Sequence, residues 1–270
     1  MLLQKVHARD IRLDHPEFMD QEVQFNLIHR ITDSEDAHCI QSEQGNLVFA
    51  QTPGHNAWLW LTSDMPDEAK RKVLSSLIKQ LEQSPLPGVS GDPATAALFA
   101  EMYAERNNVQ GRPFMQLESY FCPTLKRPLN VPGSWRQATN QDVDTVAEFL
   151  AGFSNRAYGV TVSSASQRPN AEATIAGQNL YLWIVDDAPV SMANIAHRSP
   201  RHGRINAVYT PSEARKNGYA SAIVAELCAM LRQEGLLPML YADVNNPDSN
   251  KVYRNIGFVE SGNILDIKFG

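Results

Sequence analysis

The sequence is poor in the features that mark several large protein classes. Its 270 residues include three widely spaced cysteines, Cys39, Cys122 and Cys228, an odd number that excludes a disulfide framework and favours a reducing compartment. Basic residues are fewer than acidic ones, 24 against 30, which argues against a nucleic-acid-binding protein. Every apolar run is well short of the ~18 residues that a membrane span requires. We therefore expect a cytoplasmic protein that binds neither nucleic acid nor membrane.

The sequence also lacks the short motifs of several ligand sites. No glycine-rich loop ends in Gly-Lys-Ser/Thr and no G-x-G-x-x-G occurs, which excludes a P-loop and a dinucleotide fingerprint. The histidines and cysteines do not have the spacing of metal ligands, so we expect no metal site. The N-terminal residues lack the apolar centre of a signal peptide. The remaining composition, 43% hydrophobic and 20% charged, is that of a globular protein with a sizeable core.

Prolines and a glycine interrupt the middle of the chain and indicate a connection between domains. The length corresponds to about two domains of ~150 residues each. The interrupting residues oppose helix continuation and remove main-chain donors from a sheet. They are Pro123, Pro128, Pro132 and Gly133. We place a linker at 126–134, between an N-terminal domain of residues 1–125 and a C-terminal domain of residues 135–270.

Hydrophobic periodicity predicts strands alternating with helices in both halves, so the expected fold class is α/β or α+β. In the second half, apolar residues three and four apart predict a long helix over 219–231, and a shorter helix is expected over 169–177. In the first half, a four-residue spacing predicts one helix over 19–31, followed by a hairpin at Gly45. The similar order of elements in the two halves suggests an internal duplication.

The segment Arg215–Ala220 follows a predicted strand and begins the long helix. The first amides of a helix have no internal acceptors, and the helix dipole places partial positive charge there. Such a helix start binds phosphate groups. Gly218 and Ala220 have little or no side chain, so a pyrophosphate can approach the main chain closely.

Two segments together resemble the GNAT acetyltransferase superfamily. The first, Arg215-x-x-Gly218-x-Ala220, is similar to that family's (Arg/Gln)-x-x-Gly-x-(Gly/Ala) signature. The second is similar to the family's other acyl-CoA segment and consists of Asn246-x-x-Ser249-Asn250-x-x-Tyr253-x-x-x-Gly257-Phe258. The resemblance covers residues 135–270. It implies two GNAT-like domains in tandem, each a mixed, mostly antiparallel sheet flanked by helices, with the catalytic domain second.

The resemblance implies that acetyl-CoA is the cosubstrate and that the main chain holds most of it. Pantetheine would pair with residues 208–210 like an added strand. A backbone N–H there, that of Val208 or Tyr209, would polarise the thioester carbonyl and stabilise the oxyanion. The implied acyl-CoA contacts are Val208, Tyr209, Thr210, Arg215, Lys216, Asn217, Gly218, Tyr219, Ala220, Ser221, Asn246, Ser249 and Asn250.

Tyr253 is the implied general acid, which would protonate the departing thiolate. The alternative is a tyrosine whose ring packs against the sheet. The general base is open, because the strand segment 205–210 carries no carboxylate. Asp243 and Glu172 are candidates for the base, and a structural or exposed role is the alternative for each.

The first half of the chain lacks the residues of this site. When the two halves are aligned on a shared proline, Ala96 falls where Asn250 stands and Phe99 where Tyr253 stands. No Arg-x-x-Gly-x-Ala occurs at the corresponding strand-to-helix joint. Our hypothesis is a degenerate copy that no longer binds acyl-CoA and instead walls the acceptor pocket or mimics a dimer partner. The alternative is an unrelated α/β domain.

We expect an acyl-CoA-dependent N-acetyltransferase that transfers an acetyl group directly to a primary amine of a small molecule or peptide. One alternative is a non-catalytic regulatory protein that binds acyl-CoA. Another is a transferase that acts on a hydroxyl group or carries a longer acyl chain. The identity of the acceptor is not encoded in the motifs, because pocket walls vary freely on a common fold. Both a monomer and a homodimer are compatible with the sequence.

Overall fold

Strands and helices alternate along the chain in the computed structural model, which describes residues 2–81 and 85–270. These residues divide into two units. Unit 1 runs to Ser119 and includes Asp243–Asn245 and Glu260–Gly270, whereas unit 2 consists of Tyr120–Ala242 and Asn246–Val259. The units therefore differ from the contiguous domains expected from the sequence, chiefly because the last strand of the chain belongs to unit 1.

The first part of the chain contains six strands and five α-helices among the described residues. Two of the helices are long and three are very short. In chain order the strands and helices are β1 (Leu3–Val6), α1 (Pro16–Asp20), α2 (Glu22–Phe25), α3 (Leu27–Thr32), β2 (His38–Ser42), β3 (Leu47–Gln51), β4 (Ala57–Leu61), α4 (Asp67–Gln80), β5 (Gly88–Gly91), α5 (Pro93–Asn107) and β6 (Gly111–Phe121).

The second part has six strands and four α-helices. Its last strand is as long as β6. The elements are β7 (Ser134–Gln137), α6 (Val143–Tyr158), α7 (Ser164–Ala176), β8 (Leu180–Val185), β9 (Ala188–Arg198), β10 (His202–Tyr209), α8 (Tyr219–Gln233), β11 (Leu237–Asp243), α9 (Pro247–Ile256) and β12 (Val259–Phe269). No helix in residues 2–81 and 85–270 combines the length and the apolar composition of a membrane span.

Two predicted helices differ from the observed ones. The single helix expected over 19–31 is divided into α1, α2 and α3, because this segment is not amphipathic: the polar residues Glu22, Gln24 and Asn26 are buried with their apolar neighbours. The helix expected to begin at Pro169 begins earlier as α7, with Pro169 in its interior. The Ser163 side chain starts α7 by accepting a hydrogen bond from the Ser166 N–H at 3.2 Å.

Unit 1 is built on antiparallel pairs that run from β1 to β2, β3 and β4, followed by a parallel pair between β4 and β5. The last strand, β12, pairs antiparallel with β5, from Leu265↔Gly91 to Lys268↔Gly88. The apolar stripe of α4 and the buried residues of α5 pack on one face of this sheet. That core includes Leu59, Leu74, Leu77, Val89, Phe99 and Ile267.

Unit 2 has antiparallel pairs from β7 to β8, β9 and β10, and a parallel pair between β10 and β11. Two buried clusters lie on opposite faces of this sheet. The first, which we call the α8 cluster, contains residues of α8 and α9 with alternate residues of the strands, among them Ile205, Ile223, Leu227 and Leu240. The second, the α6 cluster, contains residues of α6 and α7 with the intervening strand residues, among them Val146, Phe149, Leu182 and Met192.

Asp142 closes the capping box of the 3-10 turn that leads into α6. Its carboxylate accepts the Thr139 N–H at 2.7 Å and both Arg136 Nη groups, at 2.7 and 2.8 Å. The hydrogen bonds from Arg136, together with those from Thr139, lower the pKa of Asp142 to about 2. Because the pKa is depressed in the folded state, the ionised carboxylate stabilises the fold above the ordinary Asp pKa, and this contribution is lost as pH falls toward 2.

We expect Asp142→Asn to lower the free energy of unfolding at pH 7 by about 2 kcal/mol, in proportion to the pKa shift. The difference from the natural protein should shrink between pH 4 and pH 2. Urea unfolding of both proteins at several pH values measures it. The matched control is Asp144→Asn, since Asp144 forms an exposed ion pair with Arg168 and should change stability by less than ~0.5 kcal/mol. Equal losses in the two variants would contradict a buried role for Asp142.

Candidate functional site

The parallel strands β10 and β11 diverge toward their carboxyl ends. Their register includes His202↔Leu237, Gly203↔Pro238 and Arg204↔Met239. Beyond that point β10 continues to Tyr209 and β11 to Asp243 with no further pair in the described register. The opening leaves main-chain donors and acceptors of β10 available to a ligand that lies along the strand.

A bulge interrupts β10 inside this opening. The register with β9 shifts between Asn206 and Tyr209, and Ala207 has φ +49°, a left-handed conformation that costs free energy for a residue with a side chain. Val208 lies within the shifted segment, next to the opening. This is where the sequence places the oxyanion donor.

The N-terminus of α8 has the geometry of an anion site. Gly218 occupies the N-cap position with φ +84°, and no side chain caps this helix in the described chain. The first helical hydrogen bond runs from the Ala222 N–H to the Gly218 carbonyl at 2.9 Å, so the amides of Tyr219, Ala220 and Ser221 precede the helical ladder. A pyrophosphate fits the charge and the donors of this helix start.

The polar side chains before α8 hold the loop in shape. Arg215 Nε donates to the Thr210 carbonyl at 3.0 Å. Asn217 Nδ2 donates to the carbonyls of Ala214 and Arg215, at 3.2 and 3.3 Å. Lys216 has φ +67° and is exposed. The signature arginine therefore braces the loop against the end of β10, and the loop places cationic side chains at the helix mouth.

The second motif forms the start of α9. The Asn246 side-chain oxygen accepts the Ser249 N–H at 3.2 Å and caps the helix. Ser249 is half-buried, whereas Asn250 lies among the buried residues of unit 2. Asn246 and Asn250 thus have structural positions in α9 that the sequence did not anticipate, and their contacts with pantetheine stay a prediction.

The Tyr253 ring lies in the α8 cluster. Its centroid is 6.2 Å from that of Tyr120 and 5.9 Å from that of Phe258. Burial is the main cause, and the charge of Tyr120 the second, of a raised pKa of the Tyr253 hydroxyl. The hydroxyl therefore stays protonated through the neutral range and is available as a proton donor. The ring packing that the sequence left as an alternative is present as well.

The two candidate bases have structural partners. The Asp243 carboxylate accepts the Asn245 N–H at 2.9 Å and shapes the turn after β11. Glu172 is exposed on α7, where it forms an ion pair with Arg168 at 3.3 Å. The assignment of either as a general base stays a prediction.

Comparison with known proteins bears on the fold. A family model described as FR47-like protein matches residues 181–264, and no curated protein matches the sequence. A GNAT-family acetyltransferase from Colwellia psychrerythraea superposes with a TM-score of 0.58 at 11% identity, over 100% of both chains. A GCN5-related N-acetyltransferase from Sphaerobacter thermophilus gives 0.61 at 12% identity, covering 99% of this chain and 95% of that one.

The chain has the fold of GNAT acetyltransferases over its whole length, and residues 181–264 match the FR47-like family model. The expected GNAT-like fold is confirmed, because the superpositions extend over the whole chain. The family model lies within the second half and includes α8, with its uncapped start, and α9. It thus covers the segment in which the sequence predicts acyl-CoA contacts.

The first part of the chain has the same order of elements as the second part, without the features of the site. Its parallel strands stay paired up to Leu59↔Gly91, where β5 ends. Its α4 corresponds to α8 but begins with Asp67 and Glu68, whose negative charges oppose a phosphate. On α5, the counterparts of Asn250 and Tyr253 are apolar and fully buried, namely Ala96 and Phe99.

Proposed function

We propose that this GNAT protein transfers an acetyl group from acetyl-CoA directly to a primary amine of a small molecule or peptide, and that unit 2 carries the reaction. The observation that carries the proposal is the combination, within unit 2, of an uncapped α8 start and the bulged, diverging end of β10. The end of β10 comes shortly before the start of α8 in the chain. A ligand held by its phosphates at α8 can therefore lay its thioester arm along β10. Unit 1 is proposed as a degenerate copy without this activity.

The main chain performs most of the binding in this proposal. The amides of residues 219–221 donate to the pyrophosphate, and the cationic side chains of Arg215 and Lys216 add favourable charge at the same end of the helix. The bulged residues of β10 pair with the pantetheine arm. This arrangement fixes the position of the thioester without a deep pocket, and positioning alone lowers the barrier substantially.

The chemical step then needs few side chains. The amine nitrogen attacks the carbonyl carbon, and the Val208 N–H stabilises the oxyanion that develops. As the new C–N bond forms and the C–S bond breaks, the Tyr253 hydroxyl donates its proton to the sulfur. The proton released from the attacking nitrogen passes to solvent, and solvent returns a proton to Tyr253 in place of the one given to the sulfur. The step is therefore balanced with no covalent enzyme intermediate.

A binding measurement and a turnover measurement test this proposal together. Acetyl-CoA at 100 times its Kd should stabilise the protein by about 2.7 kcal/mol, visible as a rise in melting temperature. Release of free CoA thiol, followed with a thiol reagent over a panel of primary amines, should show turnover. Binding without turnover on any amine or alcohol would support the regulatory alternative. Turnover only with alcohols or with longer acyl chains would support a transferase of different specificity. If acetyl-CoA does not bind, the proposed N-acetyltransferase is contradicted.

A further inference from the structure

The side chain of Tyr209 occupies a place in unit 2 that acyl-CoA binding does not explain. Its ring packs at a tilt against Phe149 of α6, with 5.8 Å between the centroids. A Cβ at Gly152 would overlap the Tyr209 hydroxyl and would lie 3.0 Å from one carbon of its ring. Glycine at residue 152 therefore leaves room for the ring to lie against the helix backbone.

The bulge in β10 decides which way this ring points. In a regular strand, Tyr209 would share the face of Ile205, which lies in the α8 cluster. Instead, Val208 packs with the α8 cluster, whereas Ala207 and Tyr209 pack with the α6 cluster. The left-handed Ala207 inserts an extra residue and turns the Tyr209 side chain to the opposite face.

The main chain at Tyr209 is held in place by a buried serine. Ser191 on β9 is fully buried, and its hydroxyl donates to the Tyr209 carbonyl at 3.0 Å. The same hydroxyl is 2.8 Å from Thr210 Oγ1. Tyr209 is thus held in two places. Ser191 bonds to its main-chain carbonyl, and its ring and hydroxyl pack against α6.

The two faces of the sheet have different uses in the proposed function. The phosphates of acetyl-CoA lie at the start of α8, on the face of the α8 cluster. An amine has to reach the carbonyl carbon from the side that the cofactor leaves open, which is the face of the α6 cluster. Ala207 and Tyr209 lie on this face of β10 beyond its pairing with β11, and Tyr209 has the larger side chain.

We propose that Tyr209 is an acceptor-specificity residue, whose ring, held by Gly152 and Phe149, forms the wall against which the substituent of the acceptor amine packs. This inference rests on the proposed function and adds a determinant of substrate size to it. The wall is aromatic, so the acceptor class is an amine with an apolar group beside the nitrogen. Gly152 is a positioning residue that acts through the ring.

Kinetics of Tyr209→Ala on a graded panel of primary amines, from short aliphatic to arylalkyl, tests this role. We expect kcat/KM to rise about tenfold for the bulkiest amines and to fall about tenfold for the smaller ones that fill the natural site. The KM for acetyl-CoA should stay within about threefold, since its contacts are with the main chain. Tyr209→Phe keeps the wall and should leave the order of preference among the amines unchanged.

Gly152→Ala provides a second test that leaves Tyr209 in place. The new methyl group pushes the ring away from α6 toward the strand opening, so the KM for amines should rise several-fold at an unchanged KM for acetyl-CoA. The melting temperature should fall by no more than a few degrees, because the better helix propensity of alanine offsets part of the cost of moving the ring. The control is Gly177→Ala at the end of α7, where the nearest atom is a carbonyl oxygen 3.3 Å away.

The outcomes separate the two proposals. If the natural protein acetylates amines and Tyr209→Ala changes kcat/KM by the same factor for every amine, Tyr209 is not a specificity wall and only this inference is overturned. A shift confined to the KM for acetyl-CoA would overturn it too. If the natural protein acetylates no amine, the proposed function fails and the wall fails with it.

Discussion

Replacing Tyr253 with phenylalanine should lower kcat about 100-fold while leaving the fold intact. A positioned general acid contributes a factor of this order, and the variant loses only the hydroxyl. The ring contacts with Tyr120 and Phe258 remain. Because burial raises the pKa of Tyr253, its hydroxyl is protonated at every ordinary pH. The loss should therefore be the same factor from about pH 6 to pH 9.

Tyr181→Phe is the matched control for this measurement. Tyr181 and Tyr253 are equally exposed, at 8% each, and both lie in the α8 cluster. The Tyr181 hydroxyl donates to Met230 Sδ at 3.4 Å, away from the strand opening. Its removal should leave kcat within about twofold. Unchanged kcat in Tyr253→Phe would assign Tyr253 to ring packing alone.

Gly218→Val should weaken acetyl-CoA binding about 100-fold. Gly218 has φ +84°, and a Cβ there would lie 2.9 Å from Val131 Cγ2. A β-branched residue is strained in this conformation, so the loop has to move and the first amides of α8 lose their common direction. Loss of one or two hydrogen bonds to a charged group costs about 2 to 3 kcal/mol, which corresponds to the expected factor. Titration calorimetry with acetyl-CoA measures it.

Gly235→Val separates the binding effect from the cost of backbone strain. Gly235 follows the other end of α8 with φ +77°, and no atom lies within 4 Å of the position its Cβ would take. Both variants should lose stability through strain, whereas only Gly218→Val should lose affinity. Equal affinity in the two variants would show that the α8 start does not hold the cofactor.

The local features of the site could be predicted from the sequence. Residues three and four apart define the buried stripe of α8, because a helix repeats every 3.6 residues whatever surrounds it. The Arg215–Ala220 segment marks the start of that helix. These features depend on residues close in sequence, so composition and spacing are sufficient to locate them.

Features that depend on distant partners could not be predicted. The sequence predicts a final strand, but only the folded chain shows that β12 pairs with β5 in unit 1. Strand partners are chosen by the packing of whole faces, not by the strand's own residues. The break between α1, α2 and α3 has the same origin, since burial from several sides removed the amphipathic pattern that a single helix would need.

The sequence by itself thus determined the long helix α8, the position of its start and the fold class, because each is encoded in short-range spacing. The tertiary structure alone decided how the candidate site is shaped. Ala207 carries no sign of its left-handed conformation, since only the surrounding strands hold a residue with a side chain in that strained state. That bulge opens β10 beside Val208 and turns Tyr209 toward Gly152, a contact between residues that nothing in their own neighbourhoods predicts.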